Sequence, residues 1–266
     1  MPTPLPLLLV LSLVPAQAGR LNLANVRTTY GVLGASRPDT RILPGDHFVV
    51  SFDIEGLKTD DAGKVHYGIG MEVSDAAGKV HLKQDPHELE TTNSLGGTSL
   101  QAFASLQVGL DQPPGTYRVK VTAIDRTTRA MGTLTQAYEV LPKGFGLVRF
   151  STTYDSDGKI QAPFVGEGQN IFVNFLAVGF GRDKAQGQPN LSVAMRILDE
   201  NGRPTLAKPF MGEISKEVPE KALSVPMQFM IELNRPGKFT VELKATDKVT
   251  GQTATLSYPL DVLKLK

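Results

Sequence analysis

The chain has 266 residues with 28 basic and 27 acidic side chains, a formal net charge of +1, no cysteine and no tryptophan. A balance this close, spread over both halves, leaves no footprint for nucleic acid or for an anionic membrane surface. The missing thiols exclude disulfides, thiolate metal sites and a cysteine nucleophile together, so a domain of more than about 100 residues has to rely on its buried core.

Met1–Ala18 carries an apolar run, Leu7 to Val14, followed by the small residues around Ala16-Gln17-Ala18. This pattern reads as a secretory signal peptide cleaved before Gly19, although no Lys or Arg precedes the run and Pro2, Pro4 and Pro6 crowd it. The run is well short of the ~20 residues that span a bilayer, and no later stretch approaches that length. The mature chain is therefore expected not to insert into a membrane, and to work in the periplasm, at the cell surface or outside the cell.

From Gly19 onward the chain reads as one unit written twice, with boundaries expected at 19–142 and 143–266. An entry strand at Val26–Tyr30 is echoed at Val148–Thr152. Gly45-Asp46 leads into Phe48, Val50, Phe52 and Ile54, and Gly166-Glu167 leads into Ile171, Val173, Phe175 and Ala177. Apolar residues at every second place mark strands with one buried face. A hairpin follows at Tyr67–Val80 or Leu191–Pro204, with Asp75–Gly78 and Asp199–Gly202 suited to a four-residue turn.

The copies then diverge, Lys83–Leu100 against Thr205–Ala222, in segments read as surface loops open either to drift or to specialisation for a partner. They reconverge on Leu106, Val108 and Leu110, and on Met227, Phe229, Ile231 and Leu233. Next come two Pro-Gly corners, Pro114-Gly115 and Pro236-Gly237, whose glycines are expected at positive φ as in a type II turn. Tyr117, Val119, Val121 and Ala123 alternate after the first corner, as Phe239, Val241, Leu243 and Ala245 do after the second. Asp125 and Asp247 open a polar turn into a last strand, ending at Leu141 and Leu263. The join Pro142–Gly146 is too short to let two sandwiches reorient freely, and predicts a bent or extended rod with some hinge at Gly144 and Gly146. No stretch longer than a turn has helical period, so the fold class is all-β: two tandem antiparallel β-sandwiches.

Leu110 followed by Gly115-Thr116-Tyr117-Arg118-Val119 resembles the corner between strands E and F of immunoglobulin-like domains. There a Tyr stands two residues before a core position and its hydroxyl bonds back to upstream backbone. The resemblance implies tandem immunoglobulin-like or fibronectin-III-like repeats of the kind found in secreted bacterial proteins. Val119 and Val241 stand where an antibody domain has its cysteine, the core tryptophan is absent, and Phe239 lacks the hydroxyl.

The densest cluster of potential ligands is His81, Asp85, His87, Glu88 and Glu90, two imidazoles and three carboxylates that could hold zinc or another divalent metal. Their spacing does not match a helical HExxH arrangement, and a solvated loop at a sheet edge accounts for them. His47 and His66 read as partly exposed spacers. Asp155-Ser156-Asp157-Gly158 resembles a calcium loop but lacks a third oxygen ligand, and reads as a plain turn. With no GxSxG, P-loop or dinucleotide-binding glycine pattern, no catalytic residue, metal or cofactor is assigned.

Three functional classes follow. The leading one is a non-catalytic extracytoplasmic module that binds a protein or glycan, or acts as a spacer. The second is a two-domain periplasmic chaperone, which would need basic residues in the interdomain cleft and a long apolar strand before the last hairpin. The third is an enzyme with a site between the domains. The absence of tryptophan counts against a glycan platform. For a partner, Phe210 and Met211 in KPFMGEI are the candidate anchors; their alternative role is to cap the open end of the second sandwich.

Overall fold

The computed structural model describes residues 19–265, so the signal-like segment Met1–Ala18 lies outside the described residues. The described chain is all-β. Its first half contains β1 (Asn22–Thr29), β2 (Arg41–Ile42), β3 (His47–Glu55), β4 (Lys64–Asp75), β5 (Val80–Thr92), β6 (Ser99–Gln107), β7 (Gly115–Asp125) and β8 (Met131–Val140). Its second half contains β9 (Gly146–Thr153), β10 (Val165–Gly166), β11 (Asn170–Val178), β12 (Leu191–Leu198), β13 (Phe210–Ile214), β14 (Ser224–Glu232), β15 (Gly237–Asp247) and β16 (Thr253–Leu263). Among the described residues no helix is long and apolar enough to cross a membrane.

Both halves have one topology. A three-stranded sheet in the order β1-β3-β6 faces a five-stranded sheet β2-β8-β7-β4-β5, and β9-β11-β14 faces β10-β16-β15-β12-β13 in the same way. All pairings are antiparallel except the short β2–β8 and β10–β16 ladders. The period-two alternation decides which face goes inward: Val119, Val121 and Ala123 of β7 meet Phe48, Val50 and Phe52 of β3 in one core, while Val241, Leu243 and Ala245 of β15 share the other with Ile171, Val173 and Phe175 of β11. Burying these side chains stabilises each sandwich by roughly 1.5–3 kcal/mol per large residue.

The corners and turns follow the repeat closely. Tyr117 is buried and its hydroxyl donates to the Pro113 carbonyl at 3.0 Å. Its ring stacks on Tyr138, which stacks on Phe48. Phe239 fills the same position without a hydroxyl, beneath the Arg235 guanidinium at 4.7 Å. Gly115 and Gly237 have φ of +149° and +142°, positive as expected but wider than the about +80° of a type II turn. They open a strand rather than complete a turn. The hairpin turns match residue for residue, Asp75 Oδ1 accepting from the amides of Ala77 and Lys79 as Asp199 Oδ1 accepts from Asn201 and Arg203.

Two expectations are corrected. The first strands align not as Val26 with Val148 but as Asn25 with Arg149. Ala24 and Arg27 pair with Asp53 and Ser51, and Val148 and Ser151 pair with Leu176 and Asn174, each across a register shift. A β-bulge at the same place in both copies, with Asn25 at φ 50° and Arg149 at φ 55°, is the reason the simple alternation misled. Secondly, the divergent segments are not loops throughout: each contains a strand at the edge of the five-stranded sheet, β5 over most of Lys83–Leu100 and the short β13 within an otherwise irregular Thr205–Ala222. The join, expected from its shortness to restrict reorientation, is packed. Leu43 Cδ1 lies only 2.1 Å from where a Cβ on Gly146 would stand, so this glycine allows close approach of the two halves.

Candidate functional site

The His/Asp/Glu cluster sits on β5 and not in a loop. β5 pairs only with β4 and is exposed along most of its length. Asp85 and Pro86 stand out of register opposite Gly70, a bulge between the Ile69–His87 and Met71–Gln84 pairs. The charged groups are spread along the edge, His87 and Glu88 among them, and His81, Asp85 and Glu90 are engaged with separate partners. His81 Nε2 lies 2.8 Å from Asp75 Oδ2, Lys83 pairs with Asp85, and Glu90 pairs with Lys64 at 2.9 Å and with His66 at 3.4 Å. The Lys64 ammonium hydrogen bond holds the Glu90 carboxyl below its usual range, and the His81 contact does the same for Asp75. Among the described residues no three His, Cys, Asp or Glu side chains gather as metal ligands would. Asp155 is likewise turned inward to its own loop, accepting from the amides of Lys159 and Ile160.

At the equivalent edge of the second sandwich the chemistry is opposite. β13 pairs only with β12, Met195 lying across from Phe210 and Ala194 across from Met211. Residues directly opposite one another in an antiparallel pair share a face, and Met195 is in the core. Phe210 therefore stands on the inward side at the open edge and Met211 on the outer side. Neither is covered: Phe210 is 41% and Met211 58% exposed. Behind them the rings and chains of Phe229 and Met227 come close to Gly212, so apolar side chains from the edges of both sheets meet there.

A third place could carry function: a cleft of ≈ 650 Å³ between the halves, which sequence reasoning did not assign. The side chain of Tyr30, at the end of β1, crosses into the second sandwich and packs edge-on against Phe150 and Tyr258, with its hydroxyl donating to the Ser257 carbonyl at 3.2 Å. Asp46 is almost fully buried; it pairs with Arg37 at 2.8 Å and accepts the Arg149 amide at 2.7 Å, while Arg149 Nε donates to the Gly45 carbonyl at 2.9 Å. Arg37 and Arg149 reach the cleft but both are engaged in holding the joint. Burial, followed by the Arg149 charge, pushes the His47 imidazole below its usual range. Across the cleft Ser151, Asn174 and Gln228 form a polar row, Gln228 Nε2 donating to Asn174 Oδ1 at 2.7 Å. No nucleophile and base are hydrogen-bonded to one another along these walls among the described residues. Thr28-Thr29-Tyr30 recurs as Thr152-Thr153-Tyr154, so the sequence marks the two tyrosines as equivalent and carries no signal that Tyr30 forms the joint.

No family model matches the chain, and no curated protein matches it. Among solved structures, the C-terminal domain of the AgI/II polypeptide BspA of Streptococcus agalactiae superposes with a TM-score of 0.29 and 9% identity over 89% of this chain and 99% of that one. The C-terminal domain of the antigen I/II-family protein AspA of Streptococcus pyogenes gives 0.29 and 8% over 92% and 100%. Red sea bream transglutaminase gives 0.28 and 9% over 94% and 32%. Superpositions this loose carry no inference about ancestry or activity.

Proposed function

We propose that this chain is a non-catalytic extracytoplasmic recognition module made of two immunoglobulin-like sandwiches, and that it takes a partner protein at the β13 edge. The carrying observation is the contrast at one topological position. β5 is blunted by Lys83, Asp85, Glu88, Glu90 and a Pro86 bulge, the usual protection of a free edge. β13 has only Glu213 as a charge and leaves Phe210 and Met211 open to solvent. An extended segment could add to its free backbone groups, with affinity from main-chain hydrogen bonds and selectivity from the apolar pair.

The immunoglobulin-like reading is supported by the shared three-plus-five strand order and by the Tyr117 hydroxyl on upstream backbone. Extracytoplasmic placement rests on the composition of Met1–Ala18. The test is a photo-crosslinking side chain placed at position 211, with the same probe at position 88 on β5 as control, in cells of the source organism. Discrete protein adducts from position 211, absent from position 88 and lost in a Phe210→Asp variant that still unfolds in one cooperative transition, are expected. Identical adducts from both edges, or adducts indifferent to Phe210→Asp, would overturn the assignment.

A further inference from the structure

The joint between the sandwiches is formed by one end of the first; the same end of the second leaves its apolar side chains uncovered, while Ser156–Gly158 and Gln161 of that end line the cleft between the halves. The correspondence is fixed by backbone bonds. Tyr30 N–H donates to the Ala35 carbonyl as Tyr154 N–H donates to Ile160, and the Thr29 hydroxyl donates to the Gly31 carbonyl as the Thr153 hydroxyl donates to Asp155, both at 2.8 Å. In the first sandwich Tyr30 and Ala35 pack against the core of its neighbour. Their counterparts, Tyr154 and Ile160, face solvent, Ile160 at 60% exposure, with Phe164 beside them at 66%. The free end thus leaves three apolar side chains in water beside the charged Asp155, Asp157 and Lys159, whereas the covered loop Gly31-Val32-Leu33-Gly34-Ala35 carries no charge.

We infer that this end docks the first sandwich of a second copy of the chain, repeating in trans the contact that joins the two sandwiches in cis. In the correct register Val26 of that copy takes the place of Phe150, against which Tyr30 packs, and Val26 is an apolar side chain left 40% exposed on β1. Charge complementarity points the same way. In the joint, a Cβ on Gly31 would stand 3.6 Å from Ser151 Cβ. The corresponding positions are Asp155 at the free end and Arg27 on β1, so two small residues are replaced by opposite charges, the Asp155 carboxylate also accepting from the amides of Lys159 and Ile160 in its own loop. Gln136 replaces Tyr258, which leaves the contact in trans with less aromatic surface than the one in cis and makes it concentration-dependent. Because the two faces differ, the association is heterologous and open-ended unless a ring closes.

Sedimentation velocity on protein secreted from the full-length gene tests this with two double variants at exposed positions: Ile160→Asp with Phe164→Asp on the free end, and Val26→Asp with Arg27→Glu on β1. Wild type is expected to rise in average mass with concentration without a plateau at two copies. Each double variant alone should remain monomeric with an unchanged circular dichroism melt. A mixture of the two should give a species of twice the monomer mass and nothing larger, because each contributes one intact face. A wild type that stays monomeric at all concentrations, a mass that plateaus at a symmetric dimer, or a mixture that stays monomeric would each overturn the inference. None of these outcomes depends on the β13 edge.

Discussion

Asp247, at the end of β15, has no exposed surface, yet its carboxylate is fully used: it accepts from the amides of Gly181 at 2.7 Å and Val249 at 3.0 Å and from the Thr250 hydroxyl at 2.7 Å. Asp125 does the same in the first sandwich, with Lys58, Thr127 and Thr128 as donors. Each thereby ties the last hairpin turn to the chain leaving the core strand. Burial acts to raise the Asp247 carboxyl, but the donors from Gly181 and Thr250 outweigh it and hold the group below its ordinary value. A carboxyl with a lower pKa in the folded than in the unfolded state stabilises above the unfolded value of about 3.9, and that stability is lost as pH falls through the folded value. Asp247→Asn should therefore cost about 1–3 kcal/mol near neutrality, while losing less on acidification below about pH 4 than wild type does. Urea midpoints followed down the acid limb check this; curves that stay parallel would contradict it. The sequence marks Asp125 and Asp247 as turn residues, but their burial was not legible, because the amides of Lys58 and Gly181 come from distant parts of the chain.

Strands that bury one face were legible because the core dictates their alternation, and β3, β7, β11 and β15 lie where that pattern places them. β5 escaped because an edge strand wet on both faces has no reason to alternate, and HLKQDPHELE reads as a polar loop. β13 escaped because five residues interrupted by Gly212 carry too short a period. The bulge residues Asn25 and Arg149 displaced the register of the entry strands, since one extra residue moves every later side chain to the other face. Phe210 shows what the edge position means energetically. Phe175, fully buried on β11, should cost about 3–5 kcal/mol on truncation to Ala. Phe210→Ala, with its ring half in water, should cost about 1 kcal/mol, taken as half the transfer free energy of a large apolar side chain. Denaturant melts of the two variants decide: a loss at Phe210 equal to that at Phe175 would make it a core residue and remove it as an anchor.

In the whole molecule the two sandwiches are joined by more than their connecting segment. Tyr30 completes an aromatic cluster with Phe150 and Tyr258, while Asp46, Arg37 and Arg149 form a buried charge and backbone network beside it. A hinge at Gly144 and Gly146 is expected of a glycine-bearing join, but what limits motion here is side-chain packing contributed by residues far away in sequence, above all Leu43 and Tyr30. The arrangement makes one strand of the first sandwich a structural part of the second. Tyr30→Ala removes two edge-on ring contacts and a hydrogen bond to the Ser257 carbonyl, a loss of about 2 kcal/mol. That loss should fall on the second sandwich although the residue belongs to the first. As the chain has no tryptophan to report on either half, hydrogen exchange resolved by segment is the suitable measurement. Faster exchange in β9 and β16 of the variant is expected; a change confined to β1 and β3 would mean that Tyr30 stabilises only its own sandwich and that the joint is held by the Asp46 network alone.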